Sequence, residues 1–263
     1  MNIFFLGTSA GWPLPRLNCH CPICTSSDPK DKRLRPSILV NGRLQIDAGP
    51  DFYHQYQKFK NNFSKLKYIF ITHTHPDHYF GLWDLAQIYR RQKIIVFISQ
   101  NHKSKIVNGI NETSINFLLS QSRKIFTHGQ LIKLNTNFSI TPFLVNHSTT
   151  TENYGFLFNE NGQKAIYIPD LRTIPKSSLK FCRQVDLAIL DGSNFEAAGP
   201  EHWGHLPIRE SIRLAKKLKI KQVYYTHIGH GARMGIHQQL EEKVQKLGGK
   251  RFHLAWDGLE LEI

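Results

Sequence analysis

The sequence predicts an α/β chain in which two sheets carry helices on their outer faces. Three observations lead there. Short apolar runs of strand type recur along the chain, amphipathic helical patterns lie between several of them, and no repeat, low-complexity stretch or shift in composition marks a linker in the 263 residues. At roughly 100 to 200 residues per domain the length suits one large domain or two small ones. The even composition favours one domain over 1–263.

Taken in order, Asn2 to Leu6 reads as a strand, Gly7-Thr8-Ser9-Ala10-Gly11 as the turn after it, and the stretch to about Arg35 as a loop holding three cysteines. Ser37 to Val40 and Arg43 to Asp47 flank Asn41-Gly42, the strongest hairpin signal present, because both residues tolerate the positive φ of a tight turn. Asp51 to Phe59 fits a short helix. Tyr68 to Ile71 is a buried strand, and a helix is expected from about Tyr79 to Arg91. Ile94 to Ile98, Ser139 to Val145, Tyr154 to Phe158, Ala165 to Ile168, Leu187 to Leu190 and Gln222 to Tyr225 all read as strands. Pro207 to Leu218 and Gln238 to Leu247 are amphipathic helices, and two short strands flank Trp256-Asp257-Gly258. The segment Lys103 to Gln121 is expected as loop that shapes a substrate pocket.

A composition of 40% hydrophobic, 11% aromatic and 21% charged residues excludes disorder and collagen-like repetition. No run approaches the roughly 20 apolar residues of a membrane span, and the opening Met1 to Gly7 is too short for a signal-peptide core, so a cytoplasmic address and no membrane contact are expected. Lysine and arginine number 34 against 20 acids, a formal charge of +14 that attracts anions and favours phosphate-bearing partners. The charges are scattered, with no basic tail.

The 14 histidines fall in tight clusters beside acids, which points to metal. His73-x-His75-x-Asp77-His78 sets four metal-capable side chains within six residues at the end of an apolar strand, where a loop projects several of them together. Imidazole nitrogen and carboxylate oxygen suit zinc, manganese or iron. Further candidates each follow an apolar strand: His147 after Val145-Asn146, Asp170 after Ile168-Pro169, and His227 after Tyr225-Thr226. Donors delivered from the same end of neighbouring strands converge on one cleft. Cys19, Cys21 and Cys24 lie within six residues, a density that in a reducing compartment suggests metal rather than disulfides. A closed zinc shell needs a fourth ligand from elsewhere. Cys182, ending a short helical pattern, reads as a small buried hydrophobe.

The unbroken His-x-His-x-Asp-His run, with His, Asp and His following in order, resembles the metallo-β-lactamase superfamily. Leu6-Gly7-Thr8-Ser9, Ile46-Asp47-Ala48-Gly49, Asn146-His147-Ser148 and Trp256-Asp257-Gly258-Leu259-Glu260 resemble its phosphodiesterase branch, and the Cys-x-Cys-x-x-Cys loop is similar to that of the PhnP-like phosphoribosyl 1,2-cyclic phosphate phosphodiesterases. The preface Gly11-Trp12-Pro13-Leu14-Pro15 also resembles a cysteine-loop relative in pyrroloquinoline quinone biosynthesis, which lacks the full histidine set.

The resemblance implies an αββα sandwich and a two-metal centre, zinc or manganese. His73, His75 and His147 would hold one ion, Asp77, His78 and His227 the other, and Asp170 would bridge them. A bridging hydroxide would attack a small cyclic or nucleotide-like phosphodiester. Asp47 would orient a ligand, and His230 would complete a structural zinc site with the three cysteines. His205 would protonate the leaving group, with Asp77 as the acid favouring its charged form and His202 as the alternative donor. A nuclease resembling tRNase Z is the runner-up, with nucleic acid the less favoured partner, since no glycine- and proline-rich arm is inserted. A non-catalytic metal-binding protein of a cofactor pathway is the third reading, and hydrolysis of thioesters or lactams stays open, as does a homodimer.

Overall fold

Most strands are continuous apolar runs, such as Ile38-Leu39-Val40 and Leu187-Ala188-Ile189-Leu190, with both faces buried, so both sheets need cover on both sides. In the computed structural model, which describes residues 1–89, 91–110, 113–196, 204–231 and 234–263, that cover is the other sheet on one face and helices on the other. The first sheet is built from β1 (Asn2–Gly7), β2 (Ser37–Val40), β3 (Leu44–Ile46), β4 (Tyr68–Phe70), β5 (Ile95–Ser99), β6 (Arg123–Phe126) and β14 (Glu260–Glu262), in the order β14-β1-β2-β3-β4-β5-β6. The second holds β7 (Ile132–Lys133), β8 (Phe138–Val145), β9 (Asn153–Glu160), β10 (Gln163–Ile168), β11 (Leu187–Asp191), β12 (Gln222–Thr226) and β13 (Phe252–Leu254), in the order β13-β12-β11-β10-β9-β8-β7. The result is the αββα sandwich that the motifs implied.

Between the sheets Phe5, Ile46, Phe70 and Phe97 meet Phe156, Phe158, Tyr167 and Ile189, all buried. The rings of Phe70 and Phe97 stack at 4.2 Å, and Phe156 presents its edge to Phe70 at 5.5 Å. Each such side chain contributes about 1.5–3 kcal/mol by leaving water. Outside the first sheet lie helices Phe52–Lys58, Leu82–Tyr89, Gln100–Ile110 and Thr113–Ser122. Outside the second, Ile208, Ile212 and Ala215 of helix Ile208–Lys217 and Leu240 and Val244 of helix His237–Gly248 cover Ala188, Leu190, Val223 and Tyr225. No helix among the described residues is long and apolar enough to cross a membrane.

Direction matters more than composition for the site. Strands β10 to β13 run parallel, and β8 and β10 are both antiparallel to β9, so the ends of β8, β10, β11 and β12 point one way. The Tyr154 N–H donates to Thr72 O at 3.1 Å, and Ser9 pairs with Ile228, bringing the ends of β4 and β1 to the same cleft.

Three expectations need correction. The helix expected from Tyr79 to Arg91 is split into Pro76–Tyr79 and Leu82–Tyr89, because Pro76 starts a turn inside the histidine motif and the chain bends at Gly81. The segment read as loop from Lys103 to Gln121 contains the helices Gln100–Ile110 and Thr113–Ser122, whose polar sequences hide a short apolar stripe, Ile106, Leu118 and Leu119. Strands β6 and β7, one half cationic and one of two residues, carry no strand pattern in the sequence.

Candidate metal centre

After β4 the chain continues extended to His75 and then turns at Pro76, the first residue of a one-turn helix whose His78 N–H returns to His75 O at 3.0 Å. An extended pair followed by one turn points all four motif side chains inward. The turn can sit this deep because Gly49 lacks a side chain: a Cβ there would lie 1.9 Å from Asp77 O.

His73, His75 and His147 form one group of donors, and Asp77, His78 and His227 another, each with its ligand atoms mutually within 4.8 Å. In the first, His75 Nδ1 lies 2.9 Å from His73 Nε2 and 3.3 Å from His147 Nε2. In the second, Asp77 Oδ2 is 3.1 Å from His78 Nε2 and 3.6 Å from His227 Nε2. Asp170 stands between them, with Oδ1 3.6 Å from His147 Nε2 and 3.4 Å from His227 Nε2, and Oδ2 3.1 Å from His78 Nε2.

Partners fix which nitrogen of each ring is free. His147 Nδ1–H donates to Gly204 O at 2.9 Å, and His78 Nδ1–H donates to Asp47 Oδ2 at 2.7 Å. Thr72 donates its hydroxyl to Asp47 and lies 3.0 Å from His73 Nδ1, while Ser193 Oγ lies 2.6 Å from His227 Nδ1. These contacts leave Nε2 of His73, His78 and His147 facing the cleft, the arrangement that orients metal ligands. Burial opposes a charge on His78, but Asp77, Asp47 and Asp170 raise it well above its usual pKa, so a metal there would displace its proton. Asp47 and His227 both adopt left-handed backbone, with φ of 63° and 55°, a costly conformation for residues with side chains that turns each toward the cleft.

Burial, then neighbouring histidines, hold His73 well below its usual pKa and His75 at about 4, and burial also lowers His147. They are neutral imidazoles, the form that binds metal. Burial opposes ionisation of Asp77 and Asp170, yet the surrounding histidines keep both carboxylates charged. Burial raises Asp47, partly offset by His78. His78 Nε2, Asp170 Oδ2 and His227 Nε2 are buried and have no hydrogen-bond partner among the described residues. Buried polar atoms without partners are costly, and here they face one another around carboxylates. Divalent cations fit that demand.

The cysteine loop closes a separate cluster. Sγ of Cys19, Cys21 and Cys24 lie 3.4, 3.0 and 3.3 Å from His230 Nε2. Tetrahedral zinc with ordinary bond lengths would set such separations at about 3.6 Å, so the four donors surround a point of suitable size. A backbone hydrogen bond from Cys24 leads the effects, burial opposing, that lower the Cys21 thiol to about 6. Cys182 is buried with its thiol pushed up to about 12, as a hydrophobe would be.

His205 borders the same cleft, grouped with His147 and Asp170. Its acid partner differs from the expected Asp77: Asp191, at the end of β11, lies 2.7 Å from His205 Nδ1. Burial would lower this histidine, but Asp191 first, then Asp170 and Asp77, raise it to about 9. The sequence carried the signal in Leu187-Ala188-Ile189-Leu190-Asp191, a strand-end acid of the same kind as Asp170. Ser193, touching both His205 and His227, had no such signal. His202, the alternative proton donor, lies outside the described residues.

Two stacked sheets between helices, with histidine and aspartate donors gathered at the strand ends, define a protein of the metallo-β-lactamase fold. Residues 42–228 match the family described as the beta-lactamase superfamily domain, and the chain belongs to that family. It is 24% identical over 273 residues to an octanoyltransferase of Porphyromonas gingivalis (strain ATCC BAA-308 / W83), covering all of this chain but 52% of that protein, so it spans about half of that relative's length. A diphosphatase of the PhnP family superposes with a TM-score of 0.79 at 28% identity, over 100% of this chain and 97% of the other. Zinc-bound PqqB from Methylobacterium extorquens superposes with a TM-score of 0.82 at 19% identity over the full length of both chains, a likeness of fold.

Proposed function

We propose that the chain is a binuclear metal-dependent hydrolase that cleaves a small phosphodiester, cyclic or nucleotide-like. The observation that carries the reading is Asp170: one buried carboxylate reaches toward His147 on one side and His78 and His227 on the other, as a shared ligand of two ions must. His73, His75 and His147 would hold one ion and Asp77, His78 and His227 the other, zinc or manganese. Two such ions supply hydroxide at neutral pH and neutralise charge on the phosphoryl oxygens.

The chain's own groups do the rest. Asp47 fixes the His78 ring through Nδ1, and Thr72 ties Asp47 to His73. With Nδ1 engaged by Asp191, His205 has Nε2 left to pass a proton to the departing alkoxide. Cys19, Cys21, Cys24 and His230 would hold a structural zinc that pins the N-terminal loop to the segment after His227. Likeness to a PhnP-family diphosphatase supports phosphorus–oxygen chemistry.

The charge of +14 favours one second reading, an RNA-processing nuclease. Metal analysis alongside turnover of cyclic phosphates, dinucleotides, bis(4-nitrophenyl) phosphate and pre-tRNA separates these. Cleavage of small diesters with two ions beyond the cysteine-held zinc supports the proposal. Cleavage of pre-tRNA alone shifts it to the nuclease, and no turnover by a metal-loaded protein shifts it to a non-catalytic role.

A further inference from the structure

Charges that look scattered along the chain are gathered by folding. Because β11, β12 and β13 run parallel, the residues that precede them meet at one end of the second sheet. Lys216, Lys217, Lys219 and Lys221 close the helix Ile208–Lys217 and lead into β12, and Lys250 and Arg251 lead into β13. The Val223 N–H donates to Arg251 O at 2.9 Å, Arg251 Nη1 donates to Ile220 O at 2.9 Å, and Lys216 Nζ donates to Leu247 O at 3.2 Å. The five lysines are exposed and Arg251 is half-buried.

The sign of this end is nearly uniform. No aspartate or glutamate occurs between Glu210 and Glu241. Asp186, at the start of β11, bonds Lys221 Nζ at 2.7 Å, and Glu241 is occupied with His253 Nδ1 and the Leu254 N–H. The platform is also remote from the metal centre. Strand β12 begins after Lys221 and ends before His227, and five residues at about 3.3 Å each put the two on the order of 17 Å apart.

We propose that this strand-end platform is a docking surface for nucleic-acid backbone, separate from the catalytic cleft. Each strand of a duplex carries a phosphate per about 3.4 Å of helix axis, and the helix end with the segments leading into β12 and β13, neighbours at about 4.8 Å spacing, sets cations over several of them. Lysine acts as a point charge without the paired donors that read bases, so the surface recognises backbone and not sequence. An anionic membrane is the less suited partner, since interfacial binding joins cations to several apolar anchors, and among the described residues Leu247 is the one large exposed apolar side chain at this end.

The test uses metal-loaded protein and a labelled 20-nucleotide single-stranded DNA, checked intact after measurement by anisotropy. Binding should weaken with salt at about 0.7 logarithmic units per contacted phosphate. K216E/K219E/K250E should bind tenfold or more weakly at 50 mM salt, with the slope smaller by about two, and the glutamine triple at the same sites should fall between. Turnover of bis(4-nitrophenyl) phosphate and the melting temperature should stay as in wild type. Unchanged affinity and slope in both triple variants would overturn the proposal, as would displacement of DNA by a small phosphodiester, or binding to phosphatidylserine vesicles in place of DNA.

Discussion

Asp191 Oδ2 lies 2.7 Å from His205 Nδ1 and accepts the backbone N–H of Leu171 at 2.8 Å. One carboxylate therefore ties the proposed proton donor to the residue next to Asp170. Its other oxygen accepts the Ser193 N–H at 2.9 Å, and Ser193 Oγ touches His227. The proposed proton donor, the carboxylate proposed as shared ligand and one histidine of the second group are thus set by a single strand end.

The first prediction concerns leaving groups. A natural alkoxide needs a proton to depart, and general acid catalysis contributes about 10² to 10⁴ in rate; 4-nitrophenolate hardly needs one. His205→Ala should lose far more activity on a cyclic ribose phosphate than on bis(4-nitrophenyl) phosphate, with metals retained. Asp191→Asn should move the high-pH limb of the cyclic phosphate profile to lower pH, because the charge that raises His205 is gone. Equal losses on the two substrates would give His205 a binding role, and selective loss in His202→Ala would transfer the donor's part to that residue.

Asp170→Ala should abolish most turnover on every diester and reduce bound metal while circular dichroism stays native. The residue is fully enclosed, and removing it leaves His78, His147 and His227 without their common anion. Near-normal activity and metal content in this variant would contradict a shared ligand.

Cys21→Ser should lower zinc content by one ion and lower the melting temperature, with little change in the chemical rate of the folded fraction. Structural zinc in small peptides contributes on the order of 10–16 kcal/mol of apparent binding energy, and a chain with its own core depends on it less. A melting temperature unchanged after loss of that zinc would rule out a structural role.

A pH dependence of stability follows from His102, buried on helix Gln100–Ile110 with Nε2 3.0 Å from Glu152 O. Burial holds it neutral, with a pKa lowered from 6.5 to about 4. A depressed histidine favours the fold above 6.5, and that advantage fades as pH falls toward 4, because the unfolded chain takes up the proton first. By pH 5 the loss is about 2 kcal/mol. Thermal unfolding of His102→Gln should show a correspondingly smaller drop between pH 7.5 and pH 5 than wild type; identical drops would remove His102 as a source.

Much of this was legible in the sequence because strand ends are loud signals. An apolar run followed by His or Asp marked His73, His147, Asp170 and His227, and Asn41-Gly42 marked the hairpin, where the structure has φ of 52° and 62°. Less was visible where tertiary contacts override local pattern. The polar helix Gln100–Ile110 is held by Ile106 and by the His102 bond to Glu152, contacts made across long sequence separation. Asp77 is the acid that the conspicuous motif offers to His205, whereas Asp191 reaches His205 only through the parallel pairing of β11 with β10 and β12. Lysine clustering at one sheet end likewise depends on strand direction, which composition does not carry.

The measurement that bears most directly on the central claim is a metal titration of chelator-stripped protein, followed by hydrolysis of a cyclic ribose phosphate and of bis(4-nitrophenyl) phosphate. Activity should be absent without added zinc or manganese and should rise to a plateau when two ions per chain are bound beyond the cysteine-held zinc. Full turnover of either diester by metal-free protein, or no turnover of any phosphodiester with both ions in place, would contradict a binuclear phosphodiesterase.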